Sequence, residues 1–88
     1  MKGVIIKVYG KVQGVSFRYY TNQKANELGV FGFVKNIDDG SVYIEAEGEE
    51  NKVNELIKWC KHGPSMARVD RVVVGENKIQ GFKVFEIR

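Results

Sequence analysis

The run VIIKVYG (Val4–Gly10) is rich in β-branched and aromatic residues and bounded by glycines, which predicts a strand. The pattern then changes period. Phe17, Thr21, Ala25 and Leu28 recur at helical spacing and predict a helix over Phe17–Leu28, with Ser16 expected to cap its start and Gly29 to end it in a left-handed turn. VFGFVKN (Val30–Asn36) and SVYIEAE (Ser41–Glu47) read as strands, and the Asp-Gly pair in the IDDG link between them predicts a hairpin. Alternation in the second of these puts Val42, Ile44 and Ala46 on the core side and Tyr43, Glu45 and Glu47 facing away. A second helix is expected from about Glu50 to His62, with Val53, Leu56, Ile57 and Cys60 on one stripe. Glu49 and Glu50 suit its positive start, and Gly63-Pro64 ends it. ARVDRVVV (Ala67–Val74) is a further strand and FKVFEIR (Phe82–Arg88) contains a short last one.

The resulting order, β-α-β-β-α-β with a terminal strand, predicts an α+β ferredoxin-like sandwich: an antiparallel sheet, two helices on one face, and a short fifth strand at the C-terminus. With 88 residues and neither linker nor repeat, residues 1–88 make a single domain. Such a domain buries about 60–65% of its unfolded surface, and 43% hydrophobic residues supply the core. A net charge of +3 favours anionic partners mildly and falls far short of a dense basic stripe. Cys60 is alone, so no internal disulfide is expected, and the composition suits a reducing compartment. No signal peptide or membrane span is apparent, so the expectation is a soluble, cytoplasmic domain.

Between the first strand and the first helix lies GKVQGVSFR (Gly10–Arg18). A glycine-rich turn at a helix start gathers backbone N–H groups into one concavity, to which the helix end adds partial positive charge. Gly10 and Gly14 supply backbone freedom, and Arg18 a planar fork that takes two phosphate oxygens. The simpler alternative is a plain turn, with Arg18 paired to a surface carboxylate. The segment is not a nucleotide-binding P-loop, because Val15, Ser16 and Phe17 follow Gly14 where Lys and Ser or Thr would stand. Asp38-Asp39 suits turn chemistry better than a magnesium site. Cys60 falls on an apolar stripe as a packed thiol, and His62 suits the negative end of the second helix. An enzyme built on this chain would work without a metal, a covalent nucleophile or a histidine base.

GKVQGVSFR together with GFVKNIDDGSV (Gly32–Val42) resembles the acylphosphatase family, and the likeness continues through GPSMARVDRV (Gly63–Val72) to the final FEIR. The family has a ferredoxin-like fold and cleaves the carboxyl–phosphate bond of acyl phosphates with no metal or cofactor. The resemblance implies that Arg18 is the catalytic arginine and Asn36 the catalytic asparagine that holds the attacking water. It places the phosphate cradle on backbone amides of Gln13, Gly14, Val15, Ser16 and Phe17. The Ser16 position varies in the family and is often Gly, so its hydroxyl is assigned no catalytic role. Many members carry an aromatic residue after the position matched by Arg88. The implied partners are a small acyl phosphate and, as product and competitive inhibitor, inorganic phosphate; nucleic acid and membrane are not expected, and the enzyme is expected to be monomeric. An open loop of this kind implies little selection of the acyl group. The alternative is an RNA-binding ferredoxin-like module, since FGFV (Phe31–Val34) imitates the centre of such a strand, with Phe31 and Phe33 as stacking aromatics. Against it, Gly29-Val30 and Asn36 stand where that signature has its basic-Gly pair and closing aromatic.

Overall fold

The computed structural model describes residues 1–88. In chain order it contains β1 (Lys2–Lys11), α1 (Phe17–Leu28), β2 (Phe31–Asn36), β3 (Val42–Gly48), α2 (Glu50–Cys60), β4 (Arg68–Glu76) and β5 (Phe85–Ile87). The strands form one sheet in the order β4-β1-β3-β2-β5. The first four neighbours pair antiparallel, whereas β5 runs parallel to β2, so the sheet is mixed and not wholly antiparallel as the sequence suggested. The cause is topological. The chain leaves β4 at one edge and crosses to the opposite edge before β5 begins, and it arrives there pointing the same way as β2.

Alternation along β1 and β3 sends Val4, Ile6, Val8, Val42, Ile44 and Ala46 to one face, where all are buried against Phe17 and Ala25 of α1 and Val53, Leu56 and Cys60 of α2. Helix α1 lies over β2 and β5, and α2 over β1 and β3. Gly29 ends α1 with a left-handed backbone (φ 73). Helix α2 stops at Cys60, two residues short of the expected end, because the chain turns toward the left-handed Gly63, whose N–H donates to the Trp59 carbonyl.

Glu47 does not face water. It points to the outer side of the sheet as its alternation requires, yet it is only 2% exposed. The segment that crosses from β4 to β5 lies over it, and the carboxylate accepts the N–H groups of Gln80, Gly81 and Phe82 at 2.7, 2.8 and 2.7 Å. A buried carboxylate needs such donors to replace its lost hydration.

Candidate active site

The ends of β1, β2 and β5 and the start of α1 meet at one end of the molecule. The register of β1 against β4 shifts between Tyr9 and Gly10, where a Cβ on Gly10 would lie 2.1 Å from the Arg68 carbonyl oxygen; no other residue fits there. Beyond this kink Val12, Val15 and Phe17 turn into the core, while Gly14 and Ser16 face out. Gly14 is left-handed (φ 75), and the space where its side chain would be is open. The loop is thus anchored by every apolar residue and bare on its outer side.

Ser16 does not cap α1. Its backbone is also left-handed (φ 63), and no side-chain hydrogen bond reaches the helix. A capping residue needs an extended backbone to fold its oxygen over the first turn, and the left-handed conformation turns it away. The backbone N–H groups from Gln13 to Ser16 donate to no atom of the protein. Unpaired N–H groups beside a helix start form a ready-made seat for an anion.

Arg18, in the first turn of α1, donates from Nη1 to the main-chain oxygen of Arg88 at 3.1 Å. Arg88 is itself fixed to β2 through its N–H on the Val34 carbonyl. One edge of the Arg18 guanidinium is therefore held by the sheet, and no Asp or Glu side chain lies within ion-pairing distance of Arg18. Asn36 ends β2 on the same side of the strand as Val34, just past the buried layer. Gly14, Ser16, Phe17, Arg18 and Asn36 line one hollow of about 400 Å³, together with Val12, Tyr19 and Ile87.

The remaining two loop residues lie elsewhere. Val15 is buried away from this hollow. Gln13 turns its side chain to the β2–β3 turn and donates from Nε2 to the carbonyls of Ile37 and Ser41 at 2.7 and 2.9 Å. It ties the loop to the turn that carries Asn36. Within that turn Ile37 N–H donates to Ser41 O, and the Asp39 carboxylate accepts from the Ser41 N–H and hydroxyl. The hydroxyl hydrogen bond, then the N–H, with Lys7 alongside, hold the Asp39 carboxyl below its usual range. Asp38-Asp39 is turn chemistry, as its sequence implied, and no three His, Cys, Asp or Glu side chains converge anywhere in the chain. Cys60 is fully buried, and burial pushes its thiol up to about 12, which leaves no thiolate to act as nucleophile.

Sequence reasoning missed Val12, Tyr19, Ile87 and the Arg88 oxygen. Only the terminal FEIR pointed to the last two, and nothing local marks a main-chain oxygen as a partner.

The Phe31/Phe33 pair does not form an open platform. Phe33 is 6% exposed, because the Arg88 guanidinium lies 4.1 Å above its ring and Tyr43 and Phe82 flank it. Stacking a base on Phe33 would require Arg88 to leave.

The sequence matches the family described as Acylphosphatase over residues 4–87. An acylphosphatase of Geobacter sulfurreducens is 49% identical over 85 residues, which span 96% of this chain and 93% of that protein. One of Thermotoga maritima is 47% identical over 88 residues, 100% of this chain and 98% of its own. The crystal structure of the Bacillus subtilis acylphosphatase is similar with a TM-score of 0.97 at 38% identity, covering 100% of this chain and 99% of that one.

Proposed function

This chain belongs to the acylphosphatase family and hydrolyses acyl phosphates, and from that premise we propose how its own residues divide the work. The loop amides from Gln13 to Phe17 hold the phosphate, Arg18 neutralises it, and Asn36 places the attacking water. Gln13 and Val15 take part through their N–H groups alone, since their side chains point elsewhere.

Phosphoryl transfer asks a protein for positioning and for charge stabilisation on the equatorial oxygens. The unpaired loop amides supply fixed dipoles, and the free edge of the Arg18 guanidinium supplies two parallel donors. Because the Arg88 oxygen already orients that guanidinium, little ordering remains for the substrate to impose. The water oxygen forms the new bond to phosphorus. The acyl oxygen leaves with the electron pair of the old bond as a carboxylate, and the proton of the water passes to the phosphate. A carboxylate is a weak base, so the leaving group needs no general acid, and the phosphate serves where the chain offers no base.

One observation carries this reading: Gly14 and Ser16, whose N–H groups are unpartnered, line the same hollow as Arg18 and Asn36. The reaction is metal-independent, the site is complete within a monomer, and the free Cys60 suits the cytoplasm. Neither nucleic acid nor membrane is a partner in this scheme; no helix is long and apolar enough to cross a bilayer. Benzoyl phosphate hydrolysis should proceed at an unchanged rate in the presence of a chelator, with inorganic phosphate inhibiting competitively. A rate that disappears with chelator and returns with magnesium would overturn it.

A further inference from the structure

Seven of the eight residues with positive φ are glycines; Ser16, at φ 63 and ψ 24, is the exception. A side chain at positive φ crowds its own backbone, and everywhere else the chain avoids this by placing glycine there. Gly14, two residues earlier in the same loop, is left-handed as well and carries no side chain. A glycine at position 16 would take up the same backbone without strain. Serine stands there at a conformational cost.

The usual reason for a serine before a helix fails here, because the hydroxyl caps nothing. The hydroxyls of Thr21, Ser41 and Tyr43 each donate to a protein oxygen, whereas that of Ser16 has no partner in the protein. Ser16 is exposed, and it lines the hollow together with Gly14, Arg18 and Asn36. A strained residue with an unused donor at a reaction site points to a side chain that serves the substrate. The in-line requirement says which atom it serves. With the water at Asn36, the acyl oxygen leaves on the far side of phosphorus. Ser16 alone among the lining residues also borders a neighbouring hollow, formed with Tyr20, Trp59 and Met66, which Asn36 does not line. It stands on the side of departure, while Arg18 and the loop amides take the equatorial oxygens.

We infer that the Ser16 hydroxyl is a further catalytic group, donating a hydrogen bond to the acyl oxygen as its bond to phosphorus breaks. The inference rests on the reaction assigned above, and it gives the hydroxyl a role that the sequence did not suggest. The electron pair of the P–O bond goes to the acyl oxygen, which becomes a carboxylate oxygen, and the hydroxyl keeps its proton throughout. Negative charge grows on that oxygen only as the bond breaks, so the hydrogen bond is stronger in the transition state than to bound substrate. The backbone conformation has its purpose in this scheme. An extended Ser16 would fold its oxygen over the first turn of α1, whereas the left-handed one leaves the hydroxyl free for the site.

Ser16→Gly and Ser16→Ala test this, because the first removes both strain and hydroxyl and the second removes the hydroxyl alone. Kinetics are measured with benzoyl phosphates whose ring substituents vary the acidity of the leaving carboxylic acid. Ser16→Gly should unfold at higher urea than the wild type and yet lower kcat by about three- to tenfold, the scale of one hydrogen bond to a developing charge. Ser16→Ala should show the same kinetic loss with no gain in stability; should it fail to fold, the glycine variant decides alone. In either variant kcat should depend more steeply on leaving-group acidity, since the departing oxygen has lost its donor, while inhibition by inorganic phosphate stays unchanged. An unaltered kcat overturns the inference. So does a loss equal for every leaving group, or a weakened grip on inorganic phosphate, either of which would make Ser16 part of the phosphate seat only. Failure of the wild type to hydrolyse any of these substrates overturns the reaction and this role together.

Discussion

Arg18 illustrates how much rests on the shape of a side chain as well as on its charge. A lysine at this position keeps the cation but has no fork, so it can neither span two phosphate oxygens nor keep the geometry of the Arg88 contact. Arg18→Lys should lose about 2–4 kcal/mol of transition-state stabilisation, seen as a fall in kcat/KM. Asn36→Ala should lower kcat with little change in KM, because it removes an orienting group and leaves the phosphate seat intact. Both roles are proposed from family resemblance: spacing alone left Arg18 open between a phosphate fork and a surface cation, and it marked Asn36 as no more than a residue beside a turn. Ser16 shows the opposite outcome. Read locally, a serine before a helical pattern is a cap, yet its left-handed backbone makes it a bend in the phosphate loop. Such a conformation costs an L-residue about 1–2 kcal/mol, and no local pattern reveals it, since the strain is imposed by Val15 and Phe17 being buried on either side.

The elements matter through their connections. The loop after β1 and the turn after β2 lie 24 and 28 residues apart along the chain at the two carbonyls that Gln13 reaches, and this side chain is their direct link. Gln13→Ala removes two neutral hydrogen bonds and should cost about 1–3 kcal/mol of stability in urea unfolding, with a raised KM as loop and turn lose their common register. Asp39 organises the same turn. Its carboxyl titrates lower in the folded protein than in the unfolded chain. It therefore stabilises the fold at and above its ordinary value of 3.8, and that contribution fades as the pH falls through the lower folded value. Asp39→Ala should unfold at lower urea than wild type at neutral pH, and the gap should narrow below about pH 3.8. The hairpin itself was readable from Asp-Gly, and helix α1 from its apolar spacing, because both are written in contiguous residues. Gln13 escaped notice because its acceptors are main-chain carbonyls, which every residue possesses.

At the scale of the whole molecule, the order of elements gave the sandwich directly, and the parallel fifth strand followed only from the path of the crossover. Alternation assigned Glu47 to the correct side of β3 but could not say what covers that side. The cover is the crossover itself, held by one carboxylate across 33 to 35 residues of chain. Residues 77–84 belong to no strand or helix, so by local structure their amide protons ought to exchange quickly with solvent. Bonded to a buried anion, those of Gln80, Gly81 and Phe82 should instead exchange as slowly as the central strands. Glu47→Ala removes both acceptor oxygens and should release all three at once. Loss of that protection would set free the stretch of chain leading to β5 and so to the Arg88 oxygen, making a carboxylate on the far face of the sheet a remote control on how firmly the arginine is aimed.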